Sequence, residues 1–121
     1  MTRERVASAE DISPGERQLV VVDGTSIGVF NVDGEYYALE NECKHQGGPA
    51  CTGRFGGKIV AEESPPGDRT TKRITDEMTV TCPWHGWEYE VATGQHIGRE
   101  SIQLEQYEVD VEDGVIYVTV P

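Results

Sequence analysis

The chain has 121 residues, of which 36% are hydrophobic and 26% charged, and it carries a net charge of −12. That length fits one ordinary domain with a modest core and excludes a second domain of typical size. So acidic a chain is repelled by nucleic acid and by anionic membrane surfaces, and it favours a partner with a basic docking face.

At the N-terminus, Met1-Thr2-Arg3-Glu4-Arg5 is charged and is followed by neither an apolar h-region nor a twin-arginine pair, which predicts a cytoplasmic protein. No stretch approaches the ~18–20 apolar residues a membrane helix needs, and the run Leu19–Val22 is only four residues long. Asp23-Gly24 lies between Leu19–Val22 and Ile27–Phe30, and Asp33-Gly34 lies between Val29–Val32 and Tyr36–Leu39. Asp-Gly between β-prone runs is a two-residue hairpin signal. Next comes a segment rich in Cys, His, Gly and Pro, from about residue 41 to 53. Arg54–Glu77 follows, polar and interrupted by Ser64-Pro65-Pro66-Gly67-Asp68, with only Ile59-Val60 β-prone. It holds five basic and five acidic residues, so all of the net negative charge lies outside it. This polar insertion reads as a surface excursion, a loose hairpin or a flexible loop. A second Cys- and His-bearing segment spans about 80–95. A third hairpin follows at Asp113-Gly114, with Val109 and Val111 alternating with acids before it and Ile116, Val118 and Val120 after it. No window sustains a helical apolar stripe, and 14 Gly and 6 Pro interrupt most candidates. The expected fold is all-β: short antiparallel strands in a sandwich or barrel, one domain over 1–121, with two loops carrying the chemistry.

Three cysteines in such a chain point to metal or redox chemistry rather than a disulfide framework. Cys43-Lys44-His45 and Cys82-Pro83-Trp84-His85 make a C-x-H … C-x-x-H pair, which supplies two thiolates and two imidazoles from two short turns. Zinc accepts the same four side chains, but zinc fingers pair C-x₂₋₄-C with H-x₃₋₅-H instead of mixing Cys and His in each half. Cys51 lies outside both motifs and reads as a small buried or half-buried residue, and His96 reads as an ordinary surface histidine. Trp84 and Trp87 either shield a metal, contribute to a docking face or are simply core aromatics. Arg69, Lys72 and Arg73 read as a solvated part of the excursion.

Cys43-Lys44-His45-Gln46-Gly47-Gly48-Pro49 and Cys82-Pro83-Trp84-His85-Gly86-Trp87-Glu88-Tyr89 through Gly94 resemble the two cluster loops of Rieske [2Fe–2S] proteins. The second loop is similar to that of the Rieske ferredoxins of bacterial multicomponent aromatic-ring oxygenase systems. The resemblance covers about Val20 to Val120. It implies a Rieske-type antiparallel β-sandwich or barrel with a small subdomain of two cluster-binding loops. It implies one [2Fe–2S] cluster per chain, with Cys43 and Cys82 on one iron and His45 and His85 on the other. With neutral imidazoles the oxidised centre is uncharged, two units less negative than an all-cysteine centre, so an electron enters more easily. Ionisable imidazole N–H groups further imply a pH-linked potential at alkaline pH. The implied function is a one-electron carrier, without a catalytic site of its own, between a flavin-dependent reductase and a terminal oxygenase, monomeric in isolation. A second reading is a permanently bound electron-transfer subunit of a larger oxidoreductase, as in nitrite-reductase-like complexes. A third is a redox-sensing or purely structural domain.

Three departures from the family pattern are informative. The positions of the disulfide cysteines of respiratory-complex Rieske proteins are Gly48 and Trp84 here, so that bridge is not expected. The serine that donates to a cluster sulfur in those proteins is replaced by Trp87, while the tyrosine position is kept as Tyr89. Loss of one donor lowers the potential, which predicts the low end of a family range of roughly −150 to +300 mV. Finally, 36 residues separate His45 from Cys82, about twice the gap expected of a compact Rieske ferredoxin, and the excursion accounts for the excess.

Overall fold

The computed structural model describes residues 2–42, 48–62, 71–83, 86–99 and 101–121, of which 58–62 and 71–76 are described by backbone alone. The strands are β1 (Thr2–Ser8), β2 (Arg17–Val22), β3 (Thr25–Val32), β4 (Glu35–Glu40), β5 (Phe55–Glu62), β6 (Thr71–Thr81), β7 (Glu88–Glu90), β8 (Gln106–Glu112) and β9 (Val115–Val120). Six of them form one antiparallel sheet in the order β1-β9-β8-β4-β3-β2. β1 and β2 approach each other across the remaining seam, so this sheet is a nearly closed barrel. β5, β6 and β7 form a second, three-stranded antiparallel sheet. Among the described residues there is no α-helix, only a 3₁₀ turn at Ala9–Asp11. None of the helical structure is long and apolar enough to cross a membrane.

All three Asp-Gly pairs make the predicted tight turns, joining β2 to β3, β3 to β4, and β8 to β9. Asp23, Asp33 and Asp113 have φ of 50°, 52° and 50°, and the glycines after them 79°, 92° and 75°. Positive φ at both central residues is the type I′ geometry, whose twist matches that of the flanking strands.

β3 departs from simple alternation. Ile27, Gly28, Val29, Phe30 and Asn31 are all buried because both faces of β3 and β4 are covered. Ile27, Val29 and Ala38 point into the barrel, where they meet Ala7, Ile12, Val22, Ile116, Val118 and Val120. Phe30 and Leu39 point outward into a second core with Ala50, Cys51, Val80, Cys82, Tyr89, Val91 and Leu104. The barrel wall is therefore also the floor on which both Cys- and His-bearing segments rest.

Strands β5 and β6 occupy the segment read from sequence as a polar excursion. They pair from Phe55↔Val80 to Glu62↔Thr71, with an irregularity between Gly57 and Ile59. Residues 63–70, with Arg69, lie outside the described part, as do the side chains of Lys72 and Arg73. Val111, placed by its alternation on a buried face, is instead 46% exposed, beside the hairpin turn where the barrel has no further layer to cover it.

Candidate metal centre

Of the four predicted ligands the structure describes Cys82; Cys43, His45 and His85 lie outside the described residues, as does Trp84. Cys82 follows the end of β6 and is almost fully buried. Its N–H donates to the Trp87 carbonyl (2.7 Å), and its own carbonyl accepts from the Gly86 N–H (3.1 Å). Gly86 takes φ of +70° to complete this turn, a conformation glycine adopts without cost. The backbone from Cys82 to Trp87 thus closes on itself, with position 85 inside the closed segment.

The first segment is anchored differently. Asn41 follows β4, and its N–H donates to the Ser26 carbonyl (2.9 Å). Its side-chain Oδ1 accepts from the Cys51 N–H (2.8 Å), and its Nδ2 donates to Ser26 Oγ (3.2 Å). Beyond Cys51, the Thr52 N–H and hydroxyl both donate back to the Pro49 carbonyl, at 3.1 and 2.8 Å. The Arg17 guanidinium of β2 donates to the Thr52 carbonyl (3.0 Å) and to the Gly53 carbonyl. Positions 43 and 45 lie within this tied-off stretch.

The bases of the two segments interlock. Gly53 lies so close to the end of β6 that a Cβ there would sit 1.6 Å from the Thr81 carbonyl oxygen and 3.3 Å from Pro83 Cδ. The Thr81 N–H donates to the Arg54 carbonyl (2.9 Å). The exit of the first segment is therefore packed on the two residues that flank Cys82.

Cys51 behaves as the small core residue expected. It is fully buried, and its thiol donates to the Leu39 and Glu40 carbonyls at 3.7 and 3.4 Å. Burial pushes its pKa up to about 12, so it stays a neutral thiol. Gly28 makes room for it, since a Cβ there would lie 2.6 Å from the Cys51 Cβ.

His96 is not the ordinary surface residue its sequence context suggested. It is half-buried, with Trp87 and Tyr89 edge-on to its ring at centroid distances of 4.8 and 5.4 Å. Its Nδ1 accepts from the Gly98 N–H (2.9 Å), which fixes the tautomer. Burial lowers its pKa below the ordinary 6.5, the Arg99 cation lowers it further, and Glu88 opposes both. The missed signal was the pairing of Tyr89 with His96, which the turn at 91–94 creates and no local motif announces. Trp87 is half-buried against the second core, with the Arg99 guanidinium 5.6 Å from its ring. Among the described residues Tyr89 is the bulkiest of the fully buried side chains.

Among the described residues no three His, Cys, Asp or Glu side chains converge on a metal position, and three of the four expected donors lie outside that set. The described framework nevertheless fits a cluster held between two loops. Each C-x-H or C-x-x-H segment is closed at its base, the bases are packed together, and Cys82 stands in a core sealed from water. Comparison with known families gives a match to the Rieske [2Fe–2S] domain over residues 2–108. The chain belongs to the Rieske [2Fe–2S] domain family. A Rieske domain carries a [2Fe–2S] cluster, which the donor types present here suit. This Rieske domain is 26% identical to "Ferredoxin CarAc" of Metapseudomonas resinovorans, over 94% of this chain and 90% of that one. It is 28% identical to the "3-phenylpropionate/cinnamic acid dioxygenase ferredoxin subunit" of Escherichia coli (strain K12), over 100% of this chain and 96% of that protein. In fold it resembles the ferredoxin of carbazole 1,9a-dioxygenase from Nocardioides aromaticivorans IC177, with a TM-score of 0.74 at 24% identity, covering 98% of this chain and 97% of that one.

Proposed function

We propose that this Rieske domain is a ferredoxin that carries single electrons from a flavin-dependent reductase to a terminal oxygenase. Cys43 and Cys82 hold one iron as thiolates, and His45 and His85 hold the other through imidazole nitrogens. When bound, the cluster supplies a one-electron couple. The chain's own residues do the rest. The second core keeps water from Cys82, and two main-chain hydrogen bonds close the turn from Cys82 to Trp87. The carboxylates behind the net charge of −12 attract a basic redox partner. The observation that carries this reading is the match to two ferredoxin components over nine-tenths or more of each chain, on a framework that packs the bases of both ligand segments together. The protein acts without a catalytic site of its own, as a monomer in the cytoplasm, and binds neither nucleic acid nor membrane.

Stopped-flow reduction of the reconstituted protein by an NAD(P)H-dependent flavin reductase tests it. Rapid one-electron reduction that slows as salt is raised is the expected result. A protein that no such reductase reduces overturns the carrier role. Rates indifferent to ionic strength overturn the steering by acidic charge. Permanent association with a neighbouring gene product on size exclusion would favour the bound-subunit reading instead.

A further inference from the structure

We infer that Asn41 is a positioning residue for the metal centre, the side-chain clasp that holds the first ligand segment in register with the second. This rests on the assignment of Cys43 and His45 as ligands. The two segments are closed by different means among the described residues. The second is closed by main-chain hydrogen bonds between Cys82, Gly86 and Trp87. At the neck of the first, a side-chain bond joins the outgoing and returning chain, from the Cys51 N–H to Asn41 Oδ1, 2.8 Å long, beside the weaker Cys51 thiol bonds to the Leu39 and Glu40 carbonyls. The same amide, through Nδ2, ties the neck to Ser26 on β3 (3.2 Å). Cys51, on the far side of that bond, is wedged over Gly28 in the second core together with Cys82. The amide therefore links three things: the chain entering the first segment, the chain leaving it, and the barrel wall on which Cys82 also rests. Arg17 adds a second brace one residue further along, at the Thr52 and Gly53 carbonyls. Groups that orient ligands without touching the metal commonly decide how tightly it is kept. Asn41 shares this neck with the Cys51 thiol, which donates to the Leu39 and Glu40 carbonyls, and with Arg17, but it alone of the three bonds both the returning chain and Ser26 of β3.

The test uses the reconstituted full chain and follows loss of visible absorbance on challenge with EDTA. The EPR spectrum of the reduced protein and its far-UV circular dichroism are recorded alongside. Asn41→Ala should lose iron about 10-fold faster than the parent and show altered EPR features, with circular dichroism unchanged. Asn41→Asp should rescue both to within about two-fold, because a carboxylate oxygen still accepts from Cys51 and can accept from the Ser26 hydroxyl. An Asn41→Ala protein indistinguishable from the parent overturns the inference, and so does an Asn41→Asp protein that fails like the alanine variant. Should the alanine variant not fold, Ser26→Ala decides, since it removes only the side-chain anchor to β3 and leaves the Asn41 N–H bonded to the Ser26 carbonyl. Faster iron loss with altered EPR then supports the clasp, and parental behaviour overturns it. A parent protein without a Rieske EPR signal would overturn the ligand assignment itself, a failure distinct from a normal parent with an unaffected variant.

Discussion

Replacing Gly53 by alanine strikes the junction between the two ligand segments directly. The new methyl would lie 1.6 Å from the Thr81 carbonyl oxygen and 2.8 Å from its carbon. A carbon–oxygen contact needs about 3.3 Å, so the two backbones must part by roughly 1.7 Å. Both neighbours are main chain, so no side chain can swing aside to absorb the shift. Overpacking of this kind costs about 1–3 kcal/mol. The Thr81 N–H bond to Arg54, now 2.9 Å, stretches with it and adds about 1 kcal/mol. The expected sum is about 3 kcal/mol, which at about 4 °C per kcal/mol for a domain of this size lowers Tm by about 12 °C. Because the separation falls next to Cys82, the variant should also retain less iron than the parent. Gly56→Ala is the control: the nearest atoms to its methyl would be the end of the flexible Arg54 side chain, at 3.2 Å, and it should cost less than about 1 kcal/mol. Thermal denaturation with iron analysis reads both outcomes. A Gly53→Ala protein with parental Tm and full iron would refute the claim that the two bases are locked together.

Three further outcomes follow from the same account. Cys51→Ala should keep the parental visible spectrum at a modest cost in stability, whereas Cys82→Ala should lose it; loss of colour in the Cys51 variant would make it a ligand. Redox titration should place the midpoint below about +100 mV, inside the range the family spans, since Trp87 replaces a sulfur-directed donor, and a higher value refutes that reasoning. His96 has a folded pKa depressed below 6.5, so below that value the unfolded chain binds a proton the folded chain resists, and stability falls as pH drops through the window. Between pH 8 and 5 the Tm of the parent should therefore fall more steeply than that of His96→Gln; parallel curves would contradict it.

The hairpins were legible because their signals are local. Asp-Gly at 23–24, 33–34 and 113–114 can adopt two consecutive positive φ values where most dipeptides cannot. β1 was not anticipated, since Arg3, Glu4 and Arg5 are all exposed, and Arg3 pairs with Asp110 and Glu112 at 3.5 and 3.2 Å and covers the Tyr117 ring. Its only buried residue is Ala7, so it carries almost no apolar pattern. β5 and β6 bear out the hairpin alternative for the excursion, which composition could not separate from a flexible loop: Thr, Lys, Arg, Asp and Glu dominate β6, and its strand character rests on pairing with β5. The Cys and His spacing announced a metal centre because thiolates and imidazoles on short turns have few other uses. What spacing could not show is how the segments are held. The clasp at Asn41, the close approach at Gly53 and the packing of His96 against Trp87 and Tyr89 join residues 7 to 28 positions apart, beyond the reach of any short motif.

Ligation of a [2Fe–2S] cluster by Cys43, His45, Cys82 and His85 is most directly tested by iron and acid-labile sulfide analysis with EPR of the reduced protein. The parent and a set of single alanine variants would be compared. Two irons and two sulfides per chain, with a Rieske signal that disappears on changing any of the four and survives Cys51→Ala and His96→Ala, is the predicted result. A colourless zinc protein, or a Rieske signal that persists in His45→Ala or His85→Ala, would contradict it.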